Sequence, residues 1–254
     1  MPHKTLQLES FGMTDIGLVR EHNEDVWAAY PDEGLFLLAD GMGGHACGEI
    51  ASHEALGHLY KLFKEWNPTQ EISASKAKAF LADAFAKVNS HIYKQGRRDD
   101  DLKGMGTTLC ALFFLRKEAI VAHVGDSRIY RFRDGNLDAL TEDHSLVAEL
   151  MALGAVESAE ADSFPYKHIL TRAIGTHNQV EPTLATVQVE PRDLFLLCSD
   201  GLTNYVTPEQ ISRIMQTNSP LNTKGQALIA FANQNGGGDN VTIILVETCY
   251  DLSR

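Results

Sequence analysis

Residues 107–140 read TTLCALFFLRKEAIVAHVGDSRIYRFRDGNLDAL, and their pattern sets the fold class. TTLCALFFL is almost continuously apolar, Arg116-Lys117 breaks it, and EAIVAHV, GDSRIYRF and NLDAL follow as further runs of strand-forming residues. Asp134-Gly135 joins the last two runs. Asp-Gly readily takes up the positive φ values of a two-residue hairpin turn, so those two runs pair antiparallel. The whole stretch is expected to form a meander.

Working outward, further strands are expected at LQLESFGM near the N-terminus, LFLLA at 35–39, DLFLLC at 193–198 and VTIILVE at 241–247. Helical periodicity is clearest from Ser73 to Gln95, where Ala77, Phe80, Leu81, Ala84, Phe85, Val88 and Ile92 recur at three- and four-residue steps. Residues 46–66 read as a preceding helix, and Asn67-Pro68 breaks the two into a helical hairpin. A third helix starts at Thr207, which can cap, with Pro208 at the first helical position and Gln210 completing a capping box. A fourth falls at 222–234. Strand clusters interrupted by helical pairs, without regular β-α-β alternation, indicate a layered α+β domain rather than a doubly wound sheet. No linker, low-complexity tract or fixed-period repeat divides the chain, so residues 1–254 are read as one domain.

Thirty-four acidic against 22 basic side chains give a net charge of -12, which disfavours nucleic acid and anionic lipid as partners. The one basic pair of note, Arg97-Arg98, runs straight into Asp99, Asp100 and Asp101 and reads as a solvated loop. The four cysteines are widely spaced, with no Cys-x-x-Cys pair, which argues against a structural zinc site or a disulfide scaffold and fits reduced thiols in a cytoplasm. The first ten residues contain no apolar signal core, and no run approaches the ~20 apolar residues that span a bilayer. A cytoplasmic protein without membrane insertion is expected, and a monomer.

Three familiar motifs come close and fail. GMGGHA at 41–46 matches the spacing of a dinucleotide-binding loop, but Asp40 would repel a pyrophosphate and a second helix, not a βαβ unit, follows. Cys110 and Arg116 have the Cys-x5-Arg spacing of cysteine-dependent phosphatases, yet ALFFL between them has no glycine and reads as strand, which would hold the two about 20 Å apart. The ten histidines contain no His-x-x-x-His, so a zinc hydrolase is not supported; His45 alone falls near the glycines. What remains is a set of aspartates beside Gly, Ser or Asn at the ends of apolar strands: Asp40, Asp126, Asp200 and Asp239. LFLLAD-Gly41 and LFLLCSD-Gly201 echo one another, each a strand apolar on both faces and therefore central, ending in a carboxylate at the rim of a core. The glycine is expected to let the backbone turn tightly so that its carbonyl also faces a cation. Asp is common in plain turns as well, but oxygen-only donors suit hard cations such as Mg²⁺ or Mn²⁺.

The motifs RxxNED at 20–25, DGMGGH at 40–45, GMGTTL at 104–109, AHVGDSRIYRFRDG at 122–135, LTEDHS at 140–145, LTRAIG at 170–175, LLCSDGL at 196–202 and GGDNVTIILV at 237–246 run through the chain in order. In these the sequence resembles the PP2C (PPM) family of metal-dependent protein serine/threonine phosphatases, and its compact bacterial members in particular. The resemblance implies a four-layer α-β-β-α sandwich of two antiparallel sheets flanked by helical pairs. It implies hydrolysis of phosphoserine and phosphothreonine on proteins by a metal-activated water, without a phosphoenzyme, against the products of a partner Ser/Thr kinase.

By motif, the resemblance puts Asp40 between two catalytic Mn²⁺ or Mg²⁺ ions, with the Gly41 carbonyl on one and Asp200 and Asp239 on the other. Asp25 sits close by through water, with Glu24 beside it, and Arg20 binds the substrate phosphate, for which an always-charged guanidinium is suited. Asp126 helps hold a third metal, and residues 155–168 form a flap near the substrate. Met42 departs from the pattern, standing where animal relatives have a histidine considered to protonate the leaving group. His45 or a metal-bound water is the alternative acid. Cys47, where relatives have a small residue, is given only a packing role. A catalytically inactive phosphoprotein-binding regulator, or a phosphatase of a small phosphorylated metabolite, stand as alternative functions.

Overall fold

The computed structural model describes residues 6–43, 47–68, 72–157, 164–166 and 168–250. Its strands form two antiparallel sheets. The first has the order β1 (Leu6–Asp15), β11 (Val241–Tyr250), β10 (Leu194–Cys198), β7 (Arg128–Arg133), β8 (Asn136–Ala139). The second runs β2 (Asp25–Tyr30), β3 (Leu35–Met42), β5 (Leu109–Phe114), β6 (Glu118–Val124), β9 (Thr183–Gln188), with the short β4 (Gly106–Thr107) against the end of β3. The helices are α1 (Cys47–Trp66), α2 (Ala74–Arg98), α3 (Leu146–Ala152), α4 (Asp200–Thr203), α5 (Pro208–Gln216) and α6 (Leu221–Gln234).

Three apolar layers follow from the side-chain alternation. Phe36 and Leu38 of β3 meet Phe195 and Leu197 of β10 between the sheets. Leu35, Leu37 and Ala39 point the opposite way, against α1 and α2, whose Leu59, Phe63, Leu81 and Phe85 cover them. Leu194, Leu196 and Cys198 pack against α4, α5 and α6 through Leu202, Ile211 and Leu228. A strand buried on both faces is apolar at every position, and β3 and β10 are indeed interior to their sheets. The result is the expected four-layer α-β-β-α sandwich.

Local signals explain several ends. Ser73 Oγ accepts from the Lys76 N–H to start α2, and the reciprocal Thr207–Gln210 capping box starts α5. Asp134 and Gly135 have φ of 51° and 84°, the twisted two-residue turn that suits the β7–β8 hairpin.

The expected meander is wrong at one point. β5 and β6 pair, and β7 and β8 pair, but β6 and β7 lie in different sheets. The chain crosses between sheets at Gly125-Asp126-Ser127, where Gly125 has a φ of 105°. Alternation reports which residues extend, not which partner a strand takes. β2, β9 and α3 had no clear sequence signal: β2 and β9 are half-buried edge strands of mixed composition, and α3 is only 7 residues long. Cys110 lies wholly buried in β5, as the strand reading required.

Candidate active site

The inter-sheet core opens into a cleft where its apolar run stops. On β3 the face that carries Phe36 and Leu38 next carries Asp40. β2 places Asp25 directly opposite Asp40 in register, and directly opposed residues share a face of the sheet. Across the cleft, β10 leads to Ser199 and then to Asp200, the first residue of α4. Asp239 comes from the loop before β11, and Asp126 from the crossover. Arg20, Asp40, Gly41, Asp126, Asp200 and Asp239 all line one cavity of about 780 Å³. Asp25 is only 5% exposed and is not on its wall.

Gly41 does not make the expected turn. It lies inside β3, paired with Thr107 of β4, and its lack of a side chain serves close approach: a Cβ would run into the Gly48 carbonyl at the start of α1. Likewise a Cβ on Gly201 would run into the Asn240 carbonyl.

The main chain around the carboxylates is held independently of them. The Asp40 N–H donates to Thr108 Oγ1 at 2.9 Å, and its carbonyl accepts from the Thr108 N–H at 2.8 Å and from Thr107 Oγ1 at 2.9 Å. Thr108 Oγ1 also bonds Ser127 Oγ at 2.7 Å, which ties β3 to the crossover. Gly125 is gripped twice by His144, its N–H donating to Nδ1 at 3.2 Å and its carbonyl accepting from the His144 N–H at 3.0 Å. That grip fixes the backbone next to Asp126. Asn240 accepts from the Glu24 N–H at 2.8 Å and donates to the carbonyls of Ile16 and His22, which secures the loop that carries Arg20.

The carboxylates themselves are short of partners. Asp25 Oδ2 accepts from Ser199 Oγ at 2.7 Å, whereas its Oδ1 is buried without a partner. Asn204 Nδ2 donates to Asp200 Oδ2 at 3.0 Å. Arg20 donates to Asp239 Oδ2 at 2.8 Å, so Arg20 rests on one of the aspartates rather than standing free. Loss of solvent first, and then repulsion from Asp200 and Asp239, pushes Asp25 up to about 7 despite its Ser199 bond. Burial and the nearby Asp200 and Asp143 push Asp126 up to about 8. Asp40 rises well above the ordinary carboxylate range, and Asp200 rises too, each through burial and then its acidic neighbours.

Such a cluster resists ionisation at neutral pH unless cations enter it. Among the described residues no three His, Cys, Asp or Glu side chains close on one point as a ready ligand shell. The unpartnered Asp25 oxygen and the oxygen-only donor set nevertheless fit hard divalent ions that keep part of their water shell.

Thr108, Ser199, Asn204 and Asn240 also hold the cavity's backbone and carboxylates without standing out in the sequence, although Thr108, Ser199 and Asn240 fall inside the motifs quoted above. Met42, His168 and His177 also line the cavity. His45 lies outside the described residues, as do residues 158–163 and 167 of the expected flap.

The family model described as Protein phosphatase 2C matches residues 19–235. A curated relative, the serine/threonine phosphatase stp of Listeria welshimeri, is 39% identical over 92% of this chain and 93% of its own length. The crystal structure of the Mycobacterium tuberculosis serine/threonine phosphatase PstP/Ppp superposes with a TM-score of 0.87 at 38% identity, covering 95% of this chain and 98% of that one. A catalytic domain of PstP in complex with 2 manganese ions superposes with a TM-score of 0.85 at 37% identity, over 96% of this chain and all of that one. With its sandwich, its acidic cleft and its ordered motifs, the chain belongs to the protein phosphatase 2C family of metal-dependent serine/threonine phosphatases.

Proposed function

We propose that Asp40, Asp200 and Asp239 hold two catalytic Mn²⁺ or Mg²⁺ ions, with the Gly41 carbonyl as a further donor and Asp25 in support behind Asp40. The observation that carries this reading is the gathering of Asp40, Asp126, Asp200 and Asp239 on one cavity, with Asp25 buried opposite Asp40 and its Oδ1 without a hydrogen-bond partner. Bound there, the cations supply Lewis acidity, acidifying water near neutral pH and offsetting charge on the phosphate ester. The protein's part is to place that chemistry. Thr107 and Thr108 hold the Asp40 backbone, and Asn204 orients Asp200. Arg20, 52% exposed at the mouth, exchanges Asp239 for two oxygens of the incoming phosphate, a bidentate grip suited to a planar guanidinium. The substrates are phosphoserine and phosphothreonine in proteins, written by a partner Ser/Thr kinase. The chain acts as a single domain and a monomer in the cytoplasm; no described helix is long and apolar enough to cross a membrane.

The test compares a phosphothreonine peptide, a phosphotyrosine peptide and a sugar phosphate, each with Mn²⁺, Mg²⁺ or chelator. Turnover confined to the phosphothreonine peptide and abolished by chelator is expected; faster turnover of the sugar phosphate would move the reading to metabolite chemistry.

Two variants probe single roles. Arg20→Ala is expected to raise KM for the phosphopeptide about tenfold, since a charge-assisted bidentate contact is lost. Manganese affinity is expected to hold or tighten, because the cation no longer competes with Arg20 for Asp239. Equal kinetics in variant and parent would remove Arg20 from the site.

Asp126 is proposed, with Asp200, to hold a third and looser metal. If Asp126 were only a turn residue, Asp126→Ala would unfold the crossover. As a buried carboxyl facing other acids it contributes repulsion in the metal-free fold. The variant is therefore expected to melt no lower than the parent without metal, to keep two tight ions by calorimetry, and to lose turnover with an altered metal-concentration dependence. A collapse of the fold, or three unchanged binding events, counts against the role.

A further inference from the structure

The loop that presents Arg20 carries aliphatic side chains with nothing to cover them. Leu18 and Val19 are each 68% exposed, and Ile16 is 39% exposed. Scattered surface apolar residues are ordinary, but these three lie within four positions of the phosphate-facing arginine, on a segment that is pinned rather than loose. The Leu18 N–H donates to the Gly237 carbonyl at 2.7 Å, the Gly17 N–H to Asp15 Oδ1 at 2.8 Å, and the Ile16 carbonyl accepts from Asn240 Nδ2 at 3.0 Å. These bonds hold the backbone against the Gly237–Asn240 edge of the cavity, with Leu18 Cγ resting over Gly237, and leave most of Leu18 and Val19 exposed. On a second segment, His168, Leu170 and Thr171 line the same cavity, while their neighbours Tyr166 and Ile169 are 58% and 48% exposed. Exposed apolar side chains thus neighbour, along the chain, two of the segments that line the cavity.

Covalent geometry sets what meets them. Leu18 and Val19 directly precede Arg20 in a turn, so a polypeptide whose phosphate Arg20 holds must pass close to them. The same margin carries Glu21 and Glu24, and the chain as a whole has a charge of -12, so an acidic flanking residue would meet like charge there. We propose that Leu18 and Val19, beside the phosphate-facing Arg20, form a docking surface for the polypeptide next to the phosphorylated residue, selecting phosphoprotein segments with aliphatic or aromatic neighbours and discriminating against acidic ones. This rests on the phosphatase reading of the cavity. The occupant is a substrate segment, because Leu18 and Val19 are continuous along the chain with Arg20, which lines the phosphate cavity, and the Glu21 and Glu24 beside them disfavour an acidic occupant.

The test uses the full chain with Mn²⁺ and three phosphothreonine peptides that differ only in flanking residues: Leu and Val, Ala, or Asp. p-Nitrophenyl phosphate, too small to reach the loop, reports on the phosphatase site alone. The parent is expected to favour the Leu/Val peptide over the Asp peptide by about tenfold in kcat/KM, chiefly through KM, the effect of partly burying one or two aliphatic side chains. In the double variant Leu18→Ser with Val19→Ser the preference is expected to shrink to about twofold through a rise in KM for the Leu/Val peptide, with p-nitrophenyl phosphate turnover tracking the parent. Equal use of all three peptides by the parent, or an undiminished preference in the double variant, overturns the docking surface. A matching loss on p-nitrophenyl phosphate also overturns it, by showing that the loop acts through the phosphate site. Absence of turnover on every substrate in the parent would instead mark failure of the phosphatase reading.

Discussion

Asp40→Asn is expected to lower kcat on a phosphothreonine peptide by roughly a thousandfold or more while leaving a folded protein, because in the proposed arrangement Asp40 is shared by two cations that would supply several kcal/mol of transition-state stabilisation. The fold should survive because Asp40 is anchored by its main chain. Its N–H and carbonyl bond to Thr107 and Thr108, and none of those bonds uses the carboxylate. Asn also relieves repulsion among the acids, so the metal-free variant should melt at or above the parent temperature. Asp200→Asn and Asp239→Asn are expected to behave alike. Cys110→Ser is the control: burial pushes that thiol well above its ordinary range, and it sits inside β5 donating to the Ser127 carbonyl, so most activity should remain. A dead but folded Cys110→Ser protein would reopen cysteine chemistry.

The second large effect concerns metal, pH and stability together. A carboxyl whose pKa is higher folded than unfolded takes up a proton on folding. Its contribution is fully present below the unfolded value of about 4 and is lost as pH climbs through the folded value. For Asp25 and Asp126 those folded values are about 7 and about 8, and Asp40 and Asp200 shift in the same direction. Metal-free protein should therefore melt lower at pH ~8 than at pH ~5.5, by roughly 5 °C or more. Manganese should reverse the trend, adding about 2.7 kcal/mol per site at a hundredfold excess over Kd, with affinity rising as pH rises because protons compete for the same oxygens. Differential scanning calorimetry with and without Mn²⁺ across that range checks both signs. A metal-free melting temperature that climbs steadily toward pH 8 would contradict the acidic cluster.

The acidic lining of the cavity was more legible in the sequence than the topology. Asp40 and Asp200 were legible because each ends a run such as LFLL that is apolar at every position, and such a run belongs in a sheet covered on both faces. Asp126 was legible as a strand-end residue, but not as a crossover, because the period-two pattern of β6 and β7 is the same whether they pair with each other or with strands far along the chain. The Asp-Gly pair suggests a turn at Gly41, whereas the missing side chain there admits the Gly48 carbonyl, a contact between segments that no local signal announces. Thr108 and Asn240 escaped for the same reason. Their hydrogen bonds reach Asp40 and Glu24, 68 and 216 residues away along the chain. The Arg20–Asp239 pair was equally invisible, since its partners lie 219 residues apart along the chain.

The central claim is that the aspartates lining this cavity hold the catalytic ions, and calorimetric titration of Mn²⁺ into stripped protein tests it most directly. The parent is expected to bind two ions tightly, Asp40→Asn to lose both tight events, and Asp200→Asn and Asp239→Asn each to weaken at least one, with phosphothreonine turnover following occupancy. Two unchanged tight binding events in folded Asp40→Asn protein, or undiminished turnover by stripped parent enzyme, would contradict it.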